Sequence, residues 1–386
     1  MSRELLGRAL PRRVILAAGG TGGHMFPAQA LARELLGRGL EVALITDRRG
    51  GGFGPDLPQV ETHRISAGAL AGRGAFGKLK GALQLGLGVL QARRLLKSLR
   101  GDVVVGFGGY ASVPTVLASQ GLALRVVLHE QNAVLGRANR LLASRADAIA
   151  TSFDQVDAIS EAARAKVRVT GNPVRPAIAA LGRRPYAVPG ETDRLRLLAI
   201  GGSQGATVFD EVIPAALCRL PEGLRRRIEI SQQVRRAEPE AVAAVYRDCG
   251  IACDLKGFFD DMPERLAAAH LVIGRAGAST VAELAAAGRP GLMVPYPSAT
   301  DDHQTANAQR LAEAGGGWVM PQSAFTAAHL AERLESLLFH PALLARASRC
   351  ARAYARDDAA AHLADMVCNL SGDNGDERRD PEEAAA

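Results

Sequence analysis

In "VILAAGGTGGHMFPA", residues 14–28, a histidine stands at the end of a run holding four glycines. Gly19, Gly20, Gly22 and Gly23 remove Cβ atoms where an apolar run turns toward a helix, so backbone N–H groups can face a ligand. Free N–H groups and the helix dipole favour an anion there, most often a phosphate. An imidazole ordinarily titrates near neutral pH, so His24 at such a loop is suited to general-base work. Two plainer readings stand beside these: close backbone packing for the glycines, and helix capping for His24. The run is no familiar nucleotide fingerprint. A GxGxxG pattern would need glycine where Met25 stands, and no Gly-Lys-Ser/Thr follows.

Four further stretches carry candidate chemistry: "GFGGYAS" at 106–112, "HEQNAVLGRANR" at 129–140, "GGSQGA" at 201–206 and "GRAGASTVAE" at 274–283. Three glycine loops without a P-loop lysine point to diphosphates held by backbone at more than one place. Glu283 lies about two turns inside a predicted helix, where its carboxylate could accept two hydrogen bonds from a ribose diol; the alternative is a solvated surface glutamate. Five scattered cysteines with no CxxC pair argue against a disulfide frame or zinc site and for a reducing compartment. No Asp-x-Asp motif suggests a bound metal, and no cofactor is expected.

The elements that must position these residues alternate. Strand-like runs at 13–18, 41–46, 102–106, 125–129, 147–151 and 167–169 are interleaved with helical ones, the rhythm of βαβ units around a parallel sheet. The stretch 171–194, with four prolines and no apolar periodicity, reads as a linker. A second strand–glycine–helix start follows from 195, with strand candidates at 228–231, 252–256, 271–273, 291–294 and 317–319. Pro27 suits the first turn of the helix after the first loop. The reading is α/β: two doubly wound parallel-sheet domains, 1–176 and 195–370, joined by 177–194, with a polar, disordered tail at 371–386. Ligands of such sheets bind at the carboxyl ends of the strands, so the cleft between two facing sheets is the expected site.

Composition narrows the partners. The chain is 47% hydrophobic and 23% charged, ordinary for a globular protein, and no run is long and apolar enough for a signal peptide or spanning helix. Residues 1–176 carry 24 Lys and Arg against 12 Asp and Glu, the remainder 23 against 28. A basic first half suggests an anionic partner, a phospholipid surface or nucleic acid. With aromatic residues at 4%, stacking platforms are scarce, which disfavours nucleic acid.

"GGTGGHMFPA", "GFGGYAS", "HEQNAVLG", "GNPVR", "GGSQGA", "GFFDDM", "GRAGASTVAE" and "DDHQTANA" occur in this order between about residues 13 and 320. Together they resemble the bacterial MurG-type glycosyltransferases of peptidoglycan synthesis. The resemblance implies a GT-B fold of two Rossmann-like domains. It also implies transfer of N-acetylglucosamine from UDP-N-acetylglucosamine to the 4-hydroxyl of undecaprenyl-diphospho-N-acetylmuramoyl-pentapeptide, with inversion. Another GT-B enzyme such as a UDP-N-acetylglucosamine 2-epimerase, or a non-catalytic nucleotide-sugar sensor, would share the donor loops.

The resemblance also implies roles. Donor contacts carry over to Thr21, Gly22, Gly23, Asn132, Arg175, Ser203, Phe259, Ala278, Ser279, Thr280, Val281, Ala282, Glu283 and Gln304. Ser203 and the amides after it suit a diphosphate, Arg175 its charge, and Asn132 and Gln304 the sugar hydroxyls. Two positions depart from the family pattern: His303, where some members carry glutamine, and Phe259, where an aliphatic residue is common. Inverting transfer needs one displacement and therefore a base near the acceptor hydroxyl: His24 first, Glu130 second, as base or as the residue orienting it. Gly19, Gly20, Gly108, Gly109 and Tyr110, on the basic half and without a second nucleotide to hold, are expected at the acceptor diphosphate. The lipid on that acceptor places the enzyme on the cytoplasmic side of the cell membrane, bound peripherally. Arg73, Phe76, Lys78, Leu79, Lys80 and Leu83 form the expected patch against anionic lipid, whereas 89–97 reads as a core-facing amphipathic helix.

Overall fold

The computed structural model describes residues 13–19, 22–48, 50–67, 74–109, 111–122, 124–202, 205–235 and 237–372, without the side chains of 74–80 and 371–372. They divide into two compact units. One runs to Pro173 and resumes at Asp358; the other is Val174–Asp357.

The first unit is built on seven parallel strands: β1 Arg13–Ala17, β2 Glu41–Thr46, β3 Glu61–Arg64, β4 Val103–Gly106, β5 Arg125–Glu130, β6 Ala148–Thr151 and β7 Val167–Val169, in the order 3-2-1-4-5-6-7. The central strands are apolar through their middles because both faces are covered. Val14 and Leu16 of β1 pack with Leu31 and Leu35 on one face, while Ile15 packs with Ala92, Leu96 and Val104 on the other. The helix Ala359–Gly372 completes the first of these layers, with Leu363, Ala364 and Val367 fully buried against the helix Gly22–Gly37. Arg38 fastens it, donating to Asp365 at 2.6 Å and to the Ala361 carbonyl at 3.2 Å.

The second unit repeats the plan with six parallel strands: β8 Leu195–Ile200, β9 Ile228–Gln233, β10 Ala252–Lys256, β11 Leu271–Gly274, β12 Gly291–Met293 and β13 Gly317–Val319, in the order 10-9-8-11-12-13. In both sheets strand order reverses direction beside the first strand, between β1 and β4 and between β8 and β11. Such switch points open a crevice at the carboxyl ends of the strands. Chain leaving those ends includes Ala18 and Gly19 with 107–109 in the first unit, and 201–202 with 275–277 in the second.

Four expectations are corrected. The helix after β1 begins at Gly22, so Pro27 is its sixth residue rather than a first-turn residue, and His24 lies inside the first turn. β3 was not anticipated: "ETHR" is half-polar because it lies at the sheet edge, where apolar alternation is weak. Residues 176–183, read as linker, form a helical turn and a 3-10 turn against the helix Ala278–Ala287. Gly182 comes so close there that a Cβ would meet the Ala286 carbonyl at 2.6 Å. Finally, Cys218 and Cys249, separated by 31 positions, are joined as a disulfide between two helix ends.

Candidate active site

At the switch point of the first unit, two glycine loops close on one imidazole. Gly108 and Gly109 adopt φ of +86° and +76°, which side-chain-bearing residues rarely tolerate. A Cβ on Gly108 would lie 3.2 Å from His24 Cε1; one on Gly109 would lie 3.3 Å from His24 Cδ2 and 3.1 Å from Gly19 Cα. Ser112 ties the two loops, its hydroxyl 2.7 Å from the Ala17 carbonyl and 2.8 Å from that of Gly108. At Gly108 and Gly109, expected at the acceptor diphosphate, the missing Cβ atoms thus leave room for the His24 ring and the Gly19 backbone. By contrast, a Cβ on Gly23 would meet nothing within 4 Å.

The end of β5 supplies the polar partners. His24 Nδ1 lies 2.9 Å from Gln131 Oε1. Gln131 Nε2 lies 2.8 Å from His129 Nδ1 and 2.9 Å from the His129 carbonyl, and His129 Nε2 is 3.2 Å from the Gly171 carbonyl. His129 is fully buried, and burial pushes its basicity down to about 4, so it is neutral near pH 7. Sequence reasoning had not singled out His129 or Gln131; their signal was a polar triplet, His-Glu-Gln, closing an apolar strand.

Glu130 is occupied. One carboxylate oxygen accepts from the Asn132 backbone and side-chain amides at 3.0 and 3.1 Å; the other accepts from the Gly136 amide and the Asn139 side chain, both at 2.8 Å. With 2% exposure, the carboxylate organises the loop 130–139 rather than facing open space.

In the second unit, Arg175 and Glu283 face each other although 108 positions separate them. Arg175 Nε and Nη2 donate to the two carboxylate oxygens at 3.0 and 3.1 Å. Burial raises the Glu283 carboxyl and the guanidinium opposes that rise. The independent roles expected for these residues thus become one coupled unit. Glu283 lies six residues into the helix Ala278–Ala287, whose N-terminus is at the switch point. Ser279 Oγ, at the second position of that helix, is buried and has no hydrogen-bond partner among the described residues. Gln304 accepts from the Ala276 and Tyr296 amides through Oε1 at 3.2 and 3.0 Å, which turns its NH2 group outward as a donor.

Two donor candidates can act only through backbone. Val281 is 1% exposed, and Phe259 is buried under the Arg265 guanidinium, 3.9 Å from the ring centre. His303 Nδ1 donates to the Thr300 carbonyl at 2.7 Å, in a turn with left-handed Asp301 and Asp302. Thr280 and Ala282 lie partly exposed in the first turns of the helix, and Ala278 is buried at its start. Gly20, Thr21, Arg73, Tyr110, Ser203 and the tail from 373 lie outside the described residues, as do the side chains of Phe76, Lys78, Leu79 and Lys80.

Comparison with known proteins accounts for both halves. Residues 14–151 match the glycosyltransferase family 28 N-terminal domain and residues 196–363 its C-terminal domain. The chain is 56% identical over 359 residues, 93% of its length and 94% of the relative's, to the UDP-N-acetylglucosamine–N-acetylmuramyl-(pentapeptide) pyrophosphoryl-undecaprenol N-acetylglucosamine transferase of Rhodospirillum centenum. It is 55% identical to the protein of that name in Paramagnetospirillum magneticum, with 92% and 96% covered. Among solved structures, Acinetobacter baumannii MurG superposes with a TM-score of 0.74 at 32% identity, covering 92% of this chain and 99% of that one. With two parallel-sheet α/β units, glycine loops at both switch points and both family domains in order, this chain belongs to glycosyltransferase family 28 as a MurG-type GT-B N-acetylglucosaminyltransferase.

Proposed function

We propose that the enzyme moves N-acetylglucosamine from UDP-N-acetylglucosamine to the 4-hydroxyl of undecaprenyl-diphospho-N-acetylmuramoyl-pentapeptide, by a single displacement with inversion. The observation that carries the donor half is the half-buried pair of Arg175 with Glu283, whose helix Ala278–Ala287 begins with an amide end and a buried Ser279 hydroxyl that has no partner among the described residues. Amides at a helix N-terminus stabilise an anion, here the diphosphate and the charge that grows on it as UDP departs. The Glu283 carboxylate, held by Arg175, accepts the ribose hydroxyls, and the Gln304 NH2 donates to the sugar. In the first unit His24 takes the proton of the acceptor hydroxyl, while Glu130 keeps the loop 130–139 in shape behind it. The open amide end at Gly22 and Gly23 meets a phosphate.

The same reading places the enzyme peripherally on the cytoplasmic face of the membrane. No described helix is long and apolar enough to cross a bilayer. The helix Gly74–Leu99 instead presents Leu83, Leu87 and Leu90 at 63%, 56% and 57% exposure, four and three residues apart and so along one face. On its other side Ala92, Leu96 and Leu99 are buried, so 89–97 is anchored in the core while the leucine stripe looks outward. Each lysine or arginine held near an anionic surface adds on the order of 1 kcal/mol to such an apolar contact.

The test is UDP release from UDP-N-acetylglucosamine with and without the lipid-linked muramyl acceptor. Release only with acceptor, together with a disaccharide product, supports the assignment. Formation of the 2-epimer without acceptor, or binding without turnover, would replace it.

A further inference from the structure

The hydrogen bonds around His24 run in one direction, and their direction follows from atom types alone. A carbonyl oxygen only accepts, so the Gln131 side-chain atom 2.9 Å from the His129 carbonyl must be the amide nitrogen. The other atom is then oxygen, and it faces His24 Nδ1 at 2.9 Å. An oxygen facing a ring nitrogen requires the proton on that nitrogen. Behind the amide, the Gly171 carbonyl likewise requires a proton on His129 Nε2, which leaves His129 Nδ1 bare to accept from Gln131. The chain reads His24 Nδ1–H to Gln131, Gln131 to His129, His129 to Gly171.

We propose that Gln131, backed by His129, is a positioning residue that fixes His24 in the tautomer protonated on Nδ1, leaving the Nε2 lone pair to take the acceptor proton. This rests on the reading of His24 as the base. An imidazole side chain in water favours the other tautomer, with the proton on Nε2 and no lone pair there, so the base needs a partner to select its working form. Serine hydrolases use a carboxylate for that purpose. Here a neutral amide does it, and a second histidine keeps the amide from turning over. His129 is suited to the task because it stays neutral: a protonated ring would set an Nδ1–H against the Gln131 NH2 group. Gly108 and Gly109 hold the His24 ring from the other side, where their missing Cβ atoms let the loop lie against Cε1 and Cδ2. The whole chain lies in one unit, and behind the half-buried His24 it is shielded from water, with Gln131 at 2% exposure and His129 at 0%. Buried hydrogen bonds that run in one direction polarise one another.

The test uses the full chain labelled with 15N-histidine, with His24 assigned by its absence from His24→Ala. Long-range 1H–15N correlation at alkaline pH, where imidazoles are uncharged, should show a protonated Nδ1 and a bare Nε2 on His24. Gln131→Met, of similar size but unable to accept, should release the tautomer and lower kcat by roughly 10- to 100-fold, as loss of an imidazole's orienting partner commonly does. The KM for UDP-N-acetylglucosamine should stay within about twofold, since the lost interaction acts on the reacting base. Gln131→Glu, which still accepts from Nδ1 but has no NH2 group for His129 Nδ1 and the His129 carbonyl, should recover only part of kcat. A wild-type His24 protonated on Nε2 overturns the proposal, as does a Gln131→Met enzyme with wild-type tautomer and turnover. The wild-type spectrum decides the tautomer even where a variant fails to fold. A few-fold effect of His24→Ala would instead remove the base reading beneath it, with the tautomer signal unchanged.

Discussion

In the first unit the glycines after β4 lie against the imidazole of His24; in the second, Gly201 after β8 packs on its own turn. Gly108 and Gly109 have left-handed backbones and leave room for the His24 ring. Gly201 leaves room only for its own loop, since a Cβ there would sit 2.7 Å from the Ala206 amide, and Gly202 and Gly205 carry φ of +78° and +74°. The polar groups differ in the same way. At the first site the His24 ring rests on uncharged hydrogen bonds whose protons have fixed places, whereas the second rests on a half-buried ion pair and a Ser279 hydroxyl with no partner among the described residues. A site that must accept a proton needs a defined tautomer. A site that must hold a dianion and two ribose hydroxyls needs donors and a fixed carboxylate. Two similar openings, "VILAAGGTGGH" and "LLAIGGSQGA", therefore end in different chemistry.

The contrast can be broken most directly at the imidazole. His24→Ala should lower kcat by about 10²–10⁴-fold, the usual share of a positioned general base, with little change in donor KM. Steady-state rates on the lipid-linked acceptor, with circular dichroism to confirm folding, measure this; a few-fold loss would place the base elsewhere.

Next comes the ion pair. Glu283→Ala and Arg175→Ala should each weaken UDP binding by roughly 2–3 kcal/mol, because each leaves a half-buried charge without its ion-pair partner. If Arg175 acts by holding Glu283, the double variant should lose far less than the sum, and Arg175→Ala should weaken uridine as much as UDP. Titration calorimetry with the two ligands separates the cases: a loss confined to UDP would mean that Arg175 reaches the diphosphate independently.

The smallest expected effect is on stability in acid. His129 is held at about 4, below the ordinary 6.5 of the unfolded chain, so the unfolded state binds the extra proton between those values. Stability should therefore fall as pH drops from about 6.5 to about 4, by about 3 kcal/mol from this group. His129→Gln has no such group, so urea unfolding of the two proteins at pH 7 and pH 4.5 should show the smaller acid loss in the variant. Equal losses would mean that His129 is charged in the folded state, and the uncharged first site would lose its distinction from the second.

Sequence alone determined the alternation of elements, because central strands covered on both faces must be apolar through their middles and the intervening helices need not be. It also located the glycine turns, and with them His24, since backbone that curves tightly or is approached closely admits little else. The edge strand β3 was invisible for the converse reason: half its surface meets water, and "ETHR" carries no apolar signal. Tertiary structure decided everything that depends on pairs distant in the chain. The Arg175–Glu283 contact spans 108 positions and the His24–Gln131 bond 107, and no local pattern records which donor meets which acceptor. Glu130 shows the limit most plainly. Its residue type allowed a base, but the amides of Asn132, Gly136 and Asn139 fill both its oxygens, an arrangement set only when the loop closes over the end of β5. The Cys218–Cys249 bond is of the same kind, because spacing along the chain says nothing about which helix ends the sheet brings within 5.4 Å.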